Sequence, residues 1–179
     1  MNKYNMSKFL LSIIFLLNIV ILCAFVTIAT TKTANAQTLN FTAGQWRVFT
    51  LNAEAKQGKT CYIASIPTNS SGTFKKRGEP FAMVTHRGGG DEFSISSGYP
   101  YKQAVDVSLN IDGKVTALFA ENDRAWAKDS ATDKALISAM MNGTIMSAKG
   151  FSRLGSDSND AYSLSGFTSA YRKMKELCK

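Results

Sequence analysis

The chain has 179 residues, of which 21 are basic and 13 acidic, so its formal net charge is +8. An apolar fraction of 45% excludes a disordered chain, and the length suits one domain with its own core. The positive charges are spread along the sequence and do not indicate nucleic-acid binding.

The N-terminal segment predicts export from the cytoplasm. Two lysines precede an apolar run from Phe9 to Ala29, and the small-residue pattern Ala34-Asn35-Ala36 follows. These are features of a cleaved signal peptide over residues 1–36, with Gln37 as the first mature residue. The run also reaches the roughly 20 residues that span a bilayer, so a retained anchor is the alternative. Membrane contact is expected only through this segment, if it is retained.

The remainder, residues 37–179, is expected to form a single domain. Three of the 21 basic residues and none of the 13 acidic ones lie in the leader, which leaves a net charge of +5. This modest excess favours an anionic surface such as envelope polysaccharide. The sequence does not indicate an oligomeric state.

Two cysteines, Cys61 and Cys178, remain after the leader. An even pair in an exported chain predicts a disulfide bond. Because His86 is the only histidine, the two thiols cannot complete a structural zinc site, and no metal or cofactor is expected.

The first part of the domain predicts strands. A polar stretch, 68–78, is predicted to be an exposed loop, and its trio Lys75-Lys76-Arg77 is the candidate contact for an anionic surface. Gly88-Gly89-Gly90 predicts a hairpin turn. A phosphate cradle is disfavoured there, because no helix follows. Apolar and polar residues alternate in the predicted strands, which are Trp46–Leu51, Cys61–Ile66, Phe81–Thr85 and Phe93–Ser96.

A further hairpin is predicted over 105–119, with a turn at Asp112-Gly113. A two-residue turn would place the apolar sets of the two strands on opposite faces. A three-residue turn would instead pair Ile111 with Val115 and bury both sets together. The second register is therefore the one we expect.

Two helices are predicted in the C-terminal third. The first begins at a capping-box pattern, Ser130 to Asp133, and ends at Gly143. The second covers Gly166 to Cys178, where apolar residues recur at helical spacing and Cys178 belongs to the apolar stripe. Between the helices, Thr144–Lys149 and Tyr162–Leu164 predict a strand pair.

No residues mark an active site. His86 is expected at the surface near a strand end rather than as a catalytic base, and no nucleophile motif accompanies it. Asp157 and Asp160 are expected in a loop, with a weak calcium site as the alternative. A pair of carboxylates across a cleft, as a glycosidase requires, is not marked by the sequence.

Several short motifs together resemble the invasion-associated locus B family of exported bacterial proteins. Each is weak alone, but their order and spacing cover nearly all of residues 37–179. The family usually has Thr at the position of Ala161 and a tighter loop where this chain has Ser152-Arg153-Leu154-Gly155-Ser156. The matching motifs are Trp46, Cys61-Tyr62, Pro67, Gly98-Tyr99-Pro100-Tyr101, Ile111-Asp112-Gly113, Ala125-Trp126-Ala127, Ala139-Met140-Met141-Asn142-Gly143, Asp160-Ala161-Tyr162-Ser163-Leu164-Ser165-Gly166-Phe167-Thr168 and Cys178.

The resemblance implies a mainly β fold, an immunoglobulin-like β-sandwich with two short helices in the C-terminal third. It also implies a place in the periplasm or cell envelope, or secretion, and a link to host-cell entry in some relatives. The expected partner is therefore a component of the envelope or of a host-cell surface. The family has no established catalytic residues, so the expected function is non-catalytic. The alternatives are a general envelope-maintenance factor without a host role, and an enzyme acting on envelope polymers.

Overall fold

The structure, a computed structural model, describes residues 37–51, 60–88 and 90–179. The expected leader and its cleavage site lie outside these residues, as does Gly89 of the triple-glycine turn. The described part contains eleven antiparallel strands and two helices. The predicted mainly β sandwich with two helices near the C-terminus is confirmed. Neither described helix is long and apolar enough to cross a membrane.

The strands form one continuous sheet that folds over on itself, so that two halves share one core. The indole N–H of Trp46 in one half donates to the carbonyl of Ser163 in the other at 3.0 Å. We call the two halves A and B. Half A has the order β1-β2-β3-β5-β6-β9. Its strands are β1 (Gln37–Ala43), β2 (Trp46–Leu51), β3 (Thr60–Ser65), β5 (Phe81–Arg87), β6 (Gly90–Ser96) and β9 (Arg124–Trp126).

Half B has the order β8-β7-β10-β11-β4. The long strand β8 joins the halves, since its first part pairs with β7 and Phe119 to Glu121 pair with β9. A strand that changes partners in this way forms the corner of a sandwich. The strands of half B are β4 (Asn69–Gly72), β7 (Val107–Ile111), β8 (Lys114–Glu121), β10 (Ile145–Phe151) and β11 (Asp157–Ser163).

The predicted register of the β7–β8 hairpin is wrong. Ile111 pairs with Lys114 across a two-residue turn, and Val115 is 60% exposed. Asp112 and Gly113 have φ angles of +47° and +93°, the conformation that matches the twist of paired strands. The carboxylate of Asp112 also accepts the backbone N–H groups of Thr144 and Ile145, which holds this turn against the start of β10. Local turn geometry therefore prevails over the burial of Val115.

Two further expectations about loops are corrected. The predicted exposed loop 68–78 contains the edge strand β4, which pairs with β11. Asp157 and Asp160 lie within β11 rather than in a loop. Both segments are short and polar, so their sequence lacks the apolar alternation that marks a strand.

The helices α1 (Ser130–Asn142) and α2 (Phe167–Leu177) pack on half A. Asp129 caps α1 by accepting the N–H of Thr132 at 2.7 Å, one residue before the predicted cap. In α2, Phe167 packs edge-on against Trp46 with ring centroids 4.8 Å apart. Cys178 follows α2 and is bonded to Cys61 of β3, the pair expected from the sequence.

Candidate functional site

The basic trio expected to contact an anionic surface does not act as one group. Lys75 and Lys76 are exposed, but the side chain of Arg77 is only 7% exposed. Its guanidinium lies 3.9 Å from the ring centroid of Phe74 and binds Asp160 through both terminal nitrogens, at 2.7 and 2.5 Å. Arg77 therefore anchors its loop to β11, and only the two lysines present free charge at the surface.

The Arg77–Asp160 pair lies in a buried polar network. The Asp160 carboxylate also accepts from the hydroxyls of Ser70 (2.7 Å) and Ser158 (3.3 Å). The phenol of Tyr99 contacts Ser158 Oγ at 2.8 Å and donates to the Gly150 carbonyl at 3.0 Å. Because an ion pair that loses its water needs such additional hydrogen bonds, this network has a structural role, and the carboxylate of Asp160 is fully engaged in it.

His86 is buried rather than at the surface, with 7% of its area exposed. Its Nδ1 contacts Asp91 Oδ1 at 2.6 Å and Lys175 Nζ at 3.1 Å. The phenol of Tyr171 donates to Asp91 Oδ2 at 2.7 Å. We call these four residues the helix clasp, because they tie α2 to the β5–β6 hairpin. Since Cys61 is the register partner of His86, the clasp lies beside the disulfide.

The clasp sets the ionisation of two of its members. Burial alone would raise the pKa of Asp91, but hydrogen bonds from Tyr171, His86 and Lys175 together lower it below its ordinary value. Burial and the neighbouring Asp91 carboxylate raise the pKa of Tyr171 to about 12. Asp91 is therefore held as an anion and Tyr171 as a neutral donor, an arrangement suited to holding a helix in place.

A different surface has the form of a binding site. The outward face of half A carries three adjoining depressions of about 690, 210 and 350 Å³. The first two share Tyr62 and Met83, and the first and third share Glu92 and Asp133, so the surface is continuous. We call it the outer groove.

Aromatic side chains line both ends of the outer groove. Phe49 stacks on Tyr62 with ring centroids 5.0 Å apart, and Phe119 stacks on Trp126 at 5.6 Å. Tyr62 on β3 and Trp126 on β9 are three strands apart, about 14 Å at the usual strand spacing. The guanidinium of Arg124 lies 4.9 Å from the ring centroid of Phe81 between these ends.

The charges of the outer groove nearly cancel, although the chain as a whole is basic. Three arginines face four carboxylates, besides Asp91, which is already paired with Lys175 in the helix clasp, so the groove does not concentrate anions. These charged residues are Arg47, Arg87 and Arg124, with Glu79, Glu92, Glu121 and Asp133.

Asp133 is a buried carboxylate that lines the outer groove. It is 8% exposed, in the first turn of α1, and its Oδ1 accepts the backbone N–H of Phe93 at 2.8 Å. Burial, followed by the nearby negative charges of Glu92, Asp129 and Asp91, raises its pKa. A carboxyl with a raised pKa in a depression is a common feature of functional sites.

The outer groove was not predicted from the sequence. Its signal was present in β3, where Cys61 and Ile63 face the core while Tyr62 and Ala64 add apolar residues of the opposite parity. Apolar residues on both faces of a strand indicate that its outward face is also partly covered, either by other parts of the protein or by a ligand. Trp126 and Arg124 lie on the short strand β9, which the sequence did not predict.

The described residues contain no group of three or more His, Cys, Asp or Glu side chains that could hold a metal ion.

Comparison with known proteins gives the family. The sequence profile described as Invasion associated locus B (IalB) protein matches residues 46–175, which is most of the chain. This chain belongs to the invasion-associated locus B family. The family is one of exported bacterial proteins and is not a known enzyme family. No curated protein matches the chain.

A solved structure shares the fold of this invasion-associated locus B protein. The crystal structure of invasion associated protein B from Bartonella henselae superposes with a TM-score of 0.58 and 16% sequence identity. The match covers 78% of this chain and 98% of that chain. At this identity the likeness establishes the sandwich fold and does not transfer a ligand or a residue role.

Proposed function

We propose that this protein is exported to the bacterial cell envelope and acts there by binding a glycan in the outer groove. Export is supported by the leader features of residues 1–36 and by the exported character of the family. A binding role is supported by the helix clasp, in which the only histidine of the chain is engaged in holding α2.

The stacked aromatic pairs at the two ends of the outer groove carry this proposal. A sugar ring has one apolar face of C–H groups and a rim of hydroxyls. Aromatic rings such as Trp126 and Tyr62 offer the matching apolar surface, and the planar side chains of Arg124 and Glu92 offer hydrogen bonds to the rim. The separation of about 14 Å between the two ends suits a short oligosaccharide better than a single ring.

The balanced charge of the outer groove refines the partner expected from composition. A net charge of +5 favours anionic surfaces in general, whereas carboxylates line this groove alongside its arginines. A neutral or zwitterionic stretch of envelope polysaccharide therefore matches it better than a polyanion.

Binding can be tested with soluble polysaccharide released from the envelope of the producing bacterium, by titration calorimetry with the exported protein. The Phe119→Ala, Arg124→Ala double variant should weaken binding at least tenfold, a loss of about 1.4 kcal/mol. Val115→Ala is the matched control, because Val115 is an exposed apolar residue on β8 outside the lining of the groove. Equal binding by all three proteins, or no binding by the unmodified protein, would reject the outer groove as a glycan site.

A role in contact with host cells is the consequence we propose for pathogenic members, supported by the names of the family and of the structural neighbour. The rival is envelope maintenance without a host role. Deletion of the gene separates them, since reduced entry into host cells with normal axenic growth supports the first. A detergent-sensitive strain with normal entry supports the rival.

An enzyme acting on envelope polymers is a second candidate function, favoured by one observation. Glu92 and Asp133 line the same depressions, and the pKa of Asp133 is raised, mainly by burial, as in a general acid. Incubation of the protein with envelope polysaccharide should then produce new reducing ends, and Asp133→Asn should abolish them. An unchanged polymer supports the binding function.

A further inference from the structure

A second surface, independent of the outer groove, lies at the tip of the β10–β11 hairpin. Its residue Leu154 is 91% exposed. Hydrogen bonds fix the conformation of the tip. The N–H of Ser152 donates to the Ser156 carbonyl, and the N–H of Ser156 donates to the Ser152 hydroxyl. The N–H of Arg153 donates to the Pro100 carbonyl at 2.9 Å. Leu154 is thus presented by a preformed loop, and no ordering of the chain is needed to expose it.

Exposed cations surround this leucine. One small cavity of about 110 Å³ is lined by Lys76, Arg153 and Leu154 together with Phe74. Lys75 lies between Phe74 and Lys76 in the sequence. The N–H of Lys102 donates to the Phe151 carbonyl at 2.8 Å, which places a fourth cation on the adjoining segment. We call Lys75, Lys76, Lys102, Arg153 and Leu154 the basic tip.

The four cations of the basic tip outnumber the carboxylates of the segments that form it. The segments that form it, 73–79, 100–102 and 151–157, contain two carboxylates. Asp157 accepts hydrogen bonds from Thr73, and Glu79 lines the outer groove. Arg77, the third cation of the loop, is neutralised by Asp160. The exposed charge is therefore positive and concentrated around one apolar side chain.

We propose that the basic tip docks on the surface of an anionic phospholipid bilayer, with Leu154 inserted below the headgroups. Each lysine or arginine near an anionic leaflet strengthens the electrostatic attraction between protein and membrane. Transfer of an exposed apolar side chain from water into the acyl region lowers the free energy of binding further. A soluble polyanion would use the cations alone and would leave Leu154 in water. The sequence predicted membrane contact only through the leader, if it is retained. The basic tip would be a second membrane contact.

Depth of insertion tests the role of the leucine directly. The Leu154→Trp variant, mixed with vesicles of phosphatidylglycerol and phosphatidylcholine in equal parts, should show blue-shifted fluorescence that brominated acyl chains quench. Val115→Trp is the matched control, because Val115 is also exposed, also follows a basic residue, and lies at the opposite end of half B. It should be neither shifted nor quenched. Equal quenching of the two variants, or none in Leu154→Trp, would overturn the proposal.

Neutralisation of charge tests the cations. Lys75→Gln, Lys76→Gln and Arg153→Gln together should weaken partitioning into these vesicles by about a hundredfold, roughly fivefold for each cation. A control triple of Lys128→Gln, Lys134→Gln and Arg172→Gln removes the same charge from exposed positions elsewhere and should change partitioning far less. Equal loss in both triples would show a general effect of net charge and would overturn the basic tip. Binding to dextran sulfate but not to vesicles would overturn the bilayer as the partner.

Discussion

The guanidinium of Arg77 and the carboxylate of Asp160 form a two-point ion pair between residues 83 positions apart in sequence. The pair fastens the loop that carries Lys75 and Lys76 to the central part of β11. It is buried, so its strength depends on both partners being present. Removal of one partner leaves an uncompensated charge in the interior, which is far more costly than the loss of a surface ion pair.

Asp160→Asn should therefore lower the free energy of unfolding by about 3–5 kcal/mol, measured by urea denaturation. Arg153→Ala, which removes an exposed arginine from a neighbouring loop, should change it by less than about 0.5 kcal/mol. A similar small effect for both variants would contradict a buried, tightly coupled pair.

Tyr162 and Tyr99 provide a matched test of buried phenols. The Tyr162 hydroxyl is buried and has no hydrogen-bond partner among the described residues, whereas the Tyr99 hydroxyl contacts Gly150 and Ser158. Tyr162→Phe should leave stability unchanged or raise it by about 1 kcal/mol, because it removes an unsatisfied polar group. Tyr99→Phe should lower stability by about 1–2 kcal/mol. Thermal unfolding of the two variants side by side is the measurement, and the reverse order would refute this assignment.

The Cys61–Cys178 bond should be a major source of stability. It joins residues 117 positions apart, and the chain-entropy model assigns about 4–5 kcal/mol to a loop of that size. Reduction or Cys178→Ser should lower the melting temperature and expose α2 to proteolysis. The Cys61→Ser, Cys178→Ser double variant should not respond to reductant. Two reactive thiols in denatured, unreduced protein isolated from the producing bacterium would show that the bond is not formed in the cell.

The Asp112-Gly113 turn makes a specific demand on the backbone. Gly113 has a φ of +93° and open space around the position of a Cβ atom, so any cost of substitution there is conformational. Gly113→Ala should destabilise the protein by about 1–2 kcal/mol. Gly90→Ala is the control, since Gly90 also has room for a Cβ but no positive φ, and it should be close to neutral. Equal effects in urea unfolding would argue against the two-residue turn.

The helix clasp predicts a defined response to pH. Because the pKa of Asp91 is lower in the folded protein than its ordinary 3.8, the unfolded state takes up protons first on acidification. The stabilising contribution of Asp91 is thus complete above 3.8 and is lost as the pH falls through the folded value. In Asp91→Asn the unfolding free energy should depend less on pH in this acidic range.

The same substitution should act at alkaline pH through Tyr171. Its pKa of about 12 lies above the ordinary 10, so its contribution is present below pH 10 and lost as the pH approaches 12. Removal of the Asp91 charge should let Tyr171 ionise at lower pH, visible in the ultraviolet phenolate titration. An unchanged titration in Asp91→Asn would show that burial alone raises the pKa of Tyr171.

Several features were determined by the sequence alone because their signals are local. Alternation over 46–51 and 81–85 predicted strands, and helical spacing over 166–178 predicted α2 with Cys178 on its apolar side. The order of short motifs indicated the family, and the even cysteine pair indicated the disulfide. In each case a few neighbouring residues, or residue types in a known compartment, carry the information.

The tertiary structure decided which surfaces are available for binding. Alternation shows which residues share a face but not which face is covered, so the outer groove depended on the packing of the halves. The inward turn of Arg77 depended on Asp160, and the burial of His86 depended on Lys175, both more than 80 positions away. A charge that looks free in sequence becomes structural when a distant strand or helix supplies its partner. The outer groove and the basic tip are surfaces that remain accessible after those pairings.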